Sequence, residues 1–166
     1  SFKYCFNKKY GIETDLHCTK DDIIICFHDF SLKRKFKTNK LVKNLNFDEI
    51  NKISNKFGYY IPKLEELIKI SNNKRYLMLE IKSYFTKKNL IQLINQTKKL
   101  KSFSITSFNE KNIKNLSLLK KNLNLGLCFA STVPIRKIIS KSKLKYVKII
   151  VTEKKFLSSK KNKFNK

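Results

Sequence analysis

The sequence predicts an α/β fold in which one parallel sheet is covered by helices. Three observations carry this. Short apolar runs alternate with amphipathic stretches along nearly the whole chain, the pattern of strands joined by crossover helices. The length of 166 residues suits one domain with a sizeable core. Gly (3) and Pro (2) are too scarce, and a 41% hydrophobic fraction too high, for a disordered chain.

The elements follow in order. "SFKYCFNKKY" reads as a helix before a first strand at 11–16, "GIETDL". A second strand, "IIICFH" at 23–28, is followed by the helix "NFDEINKIS". "IPKLEELIKI" leads to the third strand, with Leu64, Leu67 and Ile68 at helical spacing and Pro62 suited to a first turn. That third strand is "YLMLEIK" at 76–82. Next comes "KKNLIQLINQTKKL", where Leu90, Leu93, Ile94 and Thr97 share a face. Strands at 103–108, 125–129 and 146–151 complete the set, separated by the helices "NEKNIKNLSLLKKN" and "VPIRKIISKS", with Pro134 suited to a first turn. There is no internal repeat and no linker, so residues 1–166 read as a single domain whose basic end, 152–166, is expected to fray.

The formal charge is +26, a field that attracts anions and weakens with salt. Nearly all of the excess is Lys, and the arginines are Arg34, Arg75 and Arg136. Surfaces that clamp phosphates or read bases favour the guanidinium fork. Abundant Lys, Asn and Ile instead indicate AT-rich coding that fills solvated faces with Lys, so no specific nucleic-acid partner is expected. Phe27, Phe103, Phe108 and Phe129 lie in apolar runs and read as core. Cys5, Cys18, Cys26 and Cys128 make no C-x-x-C pair and no zinc-like spacing, which points to free thiols in a reducing, cytoplasmic setting. No run is long enough to span a membrane, and no signal peptide is evident.

Ionisable residues interrupt the apolar strands. Glu13 and Asp15 are two apart, so both project from one face of the first strand. Such a pair raises its own pKa values unless a cation lies between, and oxygen ligands suit a hard divalent ion. Glu80 and Lys82 share a face near the end of the third strand, and His28-Asp29 ends the second. Taken singly, Glu80–Lys82 reads as a local ion pair, and His28-Asp29 as a turn with a capping Asp. In a parallel barrel, strand C-terminal ends converge on one rim. Glu13, Asp15, His28, Glu80 and Lys82 would meet there.

In this order, "GIETDLHCTKDDIIICFHD", "IPKLEELI", "LEIK" and "SITSF" resemble the glycerophosphodiester phosphodiesterase family, with its E-x-D, T-x-D-G, H-D, I-P-x-L-E-E and E-I-K motifs. The resemblance implies a (β/α)8 TIM-type barrel, here incomplete, with first and last strands missing. It implies metal-dependent hydrolysis of a small phosphodiester to sn-glycerol 3-phosphate and an alcohol. Glu13, Asp15 and Glu80 would hold Mg²⁺ or Ca²⁺, His28 would be one of two catalytic histidines, Lys82 would contact the phosphate, and Asp29 would orient His28 or cap a turn. The chain departs from the family pattern in having no H-R-G, no E-N-T and no Trp, and in placing Asp22 where the T-x-D-G turn has Gly. It thus reads as starting just downstream of H-R-G, with about six parallel strands, a first helix packed outside strand 11–16, and very low turnover. His17 is expected to be exposed in a loop. Two alternatives stand: a degenerate relative without turnover, and a basic module that binds nucleic acid or anionic membrane. The oligomeric state is left open.

Overall fold

The computed structural model describes residues 2–153. Most of the basic end expected to fray therefore lies outside the described residues. The order is α1 (Phe2–Asn7), β1 (Ile12–Cys18), β2 (Ile24–Cys26), α2 (Lys33–Phe36), a 3₁₀ turn (Val42–Asn44), α3 (Phe47–Asn55), α4 (Leu64–Ser71), β3 (Leu77–Ile81), α5 (Lys87–Thr97), β4 (Phe103–Ser107), α6 (Glu110–Leu119), β5 (Leu125–Phe129), α7 (Ile135–Ser142) and β6 (Ile149–Thr152). All six anticipated helices form. Pro62 sits just before the α4 N-cap, Lys63, and Pro134 is itself the N-cap of α7.

One sheet runs in the order β2-β1-β3-β4-β5-β6. Strands β1, β3, β4, β5 and β6 are parallel, but β2 is antiparallel to β1. Six parallel strands were expected. Residues 19–23 are the connection between β1 and β2, and a parallel crossover needs roughly a dozen residues or more. A tight turn forms instead, closed by Thr19 N–H donating to the Ile23 carbonyl at 3.0 Å, with Asp22 at φ 62. Aspartate tolerates that left-handed conformation better than most residues. At the other edge, β6 starts at Ile149 rather than 146, because Val147 N–H closes a turn onto the Leu144 carbonyl at 2.8 Å.

The pleat divides the side chains. Leu16, Leu77, Leu79, Ile81, Ile105 and Leu127 pack with Leu64, Leu67, Leu90, Leu93, Ile113 and Leu116 of the covering helices. Phe2, Cys5 and Phe6 of α1 pack at the margin of this cluster, and α1 lies against α4. A second cluster, including Ile25, Leu32, Phe36, Phe47 and Ile61, holds the excursion between β2 and β3. Phe27 and Phe103 are half-buried and Phe129 is buried, whereas Phe108, expected in the core, is 51% exposed. It lies one residue past the end of β4. On the opposite face of the sheet, Asp15, Glu80, Thr106 and Gly126 are register partners in one row across four strands.

Gly126 is fixed by this row. A Cβ there would fall 2.8 Å from Ile149 Cβ and 3.0 Å from Thr106 Cγ2, and overpacked cores lose about 1–3 kcal/mol. Gly126→Ala is expected to lower the urea midpoint by a stability loss of about that size with an unchanged slope. An unchanged midpoint would contradict the close β5–β6 approach.

Candidate active site

Strand β1 carries Glu13 and Asp15 on the face opposite the helices, and β3 carries Glu80 there, opposite Asp15 in the ladder. One carboxylate oxygen from each of Glu13, Asp15 and Glu80 lies within 4.8 Å of the others. Lys82, just past β3, donates from Nζ to Glu80 Oε1 at 2.8 Å and stands 3.3 Å from Asp15 Oδ1. The Asp15, Glu80 and Lys82 side chains are all largely buried, whereas Glu13 is exposed. Desolvation, and then the charges of Asp15 and Glu80, raise the pKa of Glu13. Burial opposes the charge on Lys82, but its hydrogen bond to Glu80 and the Glu80 and Asp15 charges outweigh this and raise its pKa. Three carboxylates thus share one ammonium. Such an all-oxygen donor set fits Mg²⁺ or Ca²⁺.

Cys128 joins this centre, a placement the sequence did not reveal. Its Sγ lies 3.6 Å from Glu80 Oε2, and burial pushes the thiol up to about 12, so it stays protonated and donates to the carboxylate. The signal available was its position in an alternating strand: Gly126 and Cys128 share the face of Glu80.

His28 lies beyond β2 and is exposed. Phe27 N–H donates to the Asp15 carbonyl at 2.9 Å, which ties this segment to β1. Asp29 was expected either to orient His28 or to cap the next turn. The N-cap of α2 is Leu32, without a side-chain cap bond, so the capping reading is corrected. His28 Nδ1 contacts Asp29 Oδ1 at 2.7 Å, and Arg34 donates to the same carboxylate through Nε at 2.7 Å and Nη2 at 2.9 Å. The Arg34 bond, ahead of the His28 bond, holds Asp29 down at about 2.

His17 is also placed differently from expectation. It is 2% exposed, within β1, on the same side of the pleat as Glu13 and Asp15. Its Nε2–H donates to the His28 carbonyl at 3.3 Å, and its ring meets Phe30 edge-on with centroids 5.1 Å apart. Burial lowers its pKa. The strand ends two residues later than the sequence suggested, at Cys18 rather than Leu16, because pairing with β2 extends it.

A cleft of about 750 Å³ adjoins the centre and shares Lys82 with it. A larger hollow of about 840 Å³, beside α1 and the start of β1, meets the centre only at Glu13.

The profile of the Glycerophosphoryl diester phosphodiesterase family matches residues 7–163. The chain belongs to this family. A glycerophosphodiester phosphodiesterase of Caldanaerobacter subterraneus subsp. tengcongensis is 29% identical over 132 residues, covering 72% of this chain and 54% of that protein. The chain therefore spans about half the length (54%) of this curated relative. Among solved structures, a glycerophosphodiester phosphodiesterase from Thermotoga maritima superposes with a TM-score of 0.74 at 17% identity, covering 91% of this chain and 64% of that one. One from Parabacteroides distasonis gives 0.74 at 19% identity, covering 96% and 68%. A phosphodiesterase from Oleispira antarctica, solved with sn-glycerol-3-phosphate, gives 0.71 at 16% identity, covering 92% and 76%. These likenesses identify the fold as a TIM-type barrel of the family, incomplete across the described residues.

The Asp29–Arg34 pair sets a pH test. Asp29 is held below its ordinary value of 3.8, so its stabilising contribution is present above about pH 4 and is lost as pH falls toward about 2. Arg34→Ala is expected to be less stable than wild type at pH ~5, with the gap closing as pH approaches ~2. A gap in urea stability that does not change with pH would contradict the pairing.

Proposed function

We propose that this chain carries the catalytic centre of a metal-dependent glycerophosphodiester phosphodiesterase, which releases sn-glycerol-3-phosphate and an alcohol. The observation that carries this reading is the convergence of Glu13, Asp15 and Glu80 around Lys82, with the segment that carries His28 tied to β1 at Asp15. Family membership supports it.

Glu13, Asp15 and Glu80 would hold Mg²⁺ or Ca²⁺, which when bound supplies positive charge against the phosphoryl oxygens. Lys82 turns from the carboxylates to a phosphoryl oxygen and stabilises the negative charge that grows there. His28 moves the proton. With Nδ1 engaged by Asp29, Nε2 is left to protonate the leaving alkoxide or to take a proton from the attacking hydroxyl. Asp29, fixed by Arg34, sets the ring's orientation. The attacking oxygen comes from water or from the neighbouring glycerol hydroxyl. Among the described residues the other histidine, His17, is buried and bonded to the His28 carbonyl, so it is not placed to share the acid–base work. Turnover by this chain should accordingly sit roughly 10²–10⁴-fold below that of a site with two positioned acid–base groups. The substrate is a small molecule, and no helix among the described residues is long and apolar enough to cross a membrane. Four free cysteines are consistent with a cytoplasmic setting.

Two measurements test this. Saturating Ca²⁺ or Mg²⁺ should raise Tm, by the equivalent of about 2.7 kcal/mol at a hundred times Kd, and Glu80→Gln should abolish the rise. His28→Ala should keep the rise and cut release of sn-glycerol-3-phosphate by about 10²–10⁴-fold. A wild-type chain indifferent to both ions overturns the site. A metal response without product release in wild type identifies a degenerate relative instead.

A further inference from the structure

The cleft that shares Lys82 with the carboxylate centre has an unusual charge balance. The loop after β1 supplies Lys20, and the 3₁₀ turn supplies Lys43. A backbone bond from Lys20 N–H to the Leu45 carbonyl, 2.8 Å long, holds these two segments together. Both lysines are exposed, and among the described residues neither takes part in an ion pair. The carboxylate lining the cleft is Asp22, and its two oxygens are taken, one by Lys88 Nζ at 2.6 Å and the other by Asn89 Nδ2 at 2.8 Å. Phe30, Leu41 and Tyr84 form walls that are 58%, 38% and 56% exposed.

A quaternary ammonium or a primary amine entering this cleft meets two uncompensated ammonium groups and no free carboxylate. An anionic group meets two unpaired donors. A volume of about 750 Å³ lies within the range of small-molecule sites, and Lys82 lines it while contacting Glu80 and Asp15 of the centre. We propose that the cleft receives the alcohol half of the diester and that Lys20 and Lys43 select head groups carrying a second anionic group, such as a phosphorylated polyol. This rests on the reading of the chain as a phosphodiesterase. The ligand is the water-soluble diester, not the intact lipid bearing the same head group.

The test compares the affinities of glycerophosphoinositol monophosphate, glycerophosphoinositol and glycerophosphocholine for the 166-residue chain in Ca²⁺, with product release followed in parallel. The phosphorylated ligand should bind about tenfold more tightly than glycerophosphoinositol, as two exposed lysine contacts can supply. Glycerophosphocholine should bind no better than glycerophosphoinositol. The double variant Lys20→Ala/Lys43→Ala should erase the tenfold preference and leave glycerophosphoinositol affinity within about twofold. Lys98→Ala/Lys99→Ala, at the far end of α5, removes the same charge and should preserve the preference. Equal affinities in wild type, or equal loss in the control variant, overturn the proposal, the latter by assigning the effect to the overall charge. Binding to vesicles that carry phosphatidylinositol monophosphate, without binding of the soluble diester, also overturns it. Product release without head-group preference sinks this inference alone. Preference without any product release sinks the phosphodiesterase reading and supports the anion-selecting cleft.

Discussion

The structure depends on how it accommodates three carboxylates brought within 4.8 Å of one another on the first and third strands. Like charges held together in a partly desolvated place raise one another's pKa and cost stability unless a cation compensates them. Lys82 offsets part of this by bridging Glu80 and Asp15. The placement is not negotiable for the side chains, because the parallel ladder sets Asp15 opposite Glu80. Helices α4, α5 and α6 then hold the ladder from behind through Leu64, Leu67, Leu90, Leu93, Ile113 and Leu116. The concentrated charge on one face and the apolar packing on the other are two results of the same pleat.

The antiparallel β2 extends this arrangement. By turning back immediately along β1 it places the segment after it beside the middle of β1, where Phe27 bonds to Asp15 and His17 bonds to the carbonyl of His28. His17 thus serves as a buried strut under the segment that carries the exposed histidine. Arg34 and Asp29 brace the same histidine from the other side. Around this acidic centre lies a chain of net charge +26, a field that draws anions and opposes cations, so a divalent cation would be held only where carboxylates gather.

Much of this was legible. Alternation of strand and helix patterns gave the parallel α/β architecture, and period two put Glu13 and Asp15 on one face. The short motifs gave the family before any fold comparison. What failed did so for identifiable reasons. Residues 23–28 looked like any apolar strand, and its direction was decided by the brevity of residues 19–23, a signal present in the sequence but outweighed by the expectation of uniform parallel pairing. His17 was read as a loop residue, although the same period that placed Asp15 inward also points His17 inward once β1 is extended. Phe108 looked like core because it ends an apolar run, yet it stands past the strand end and over Lys82, with Nζ 5.6 Å from its ring. The partners of Asp29 were not read from the sequence, since Arg34 folds back onto its carboxylate from five residues further on.

The most direct test of the account is a crystal structure of the chain grown with Mn²⁺ and measured at the manganese absorption edge. The account predicts one anomalous peak ringed by oxygens of Glu13, Asp15 and Glu80 at roughly 2.0–2.3 Å. Lys82 Nζ should then have moved away from its 2.8 Å contact with Glu80. A peak elsewhere, or no peak with Lys82 still bridging Glu80 and Asp15, would show that the three carboxylates are an ion-pair cluster and not a metal centre.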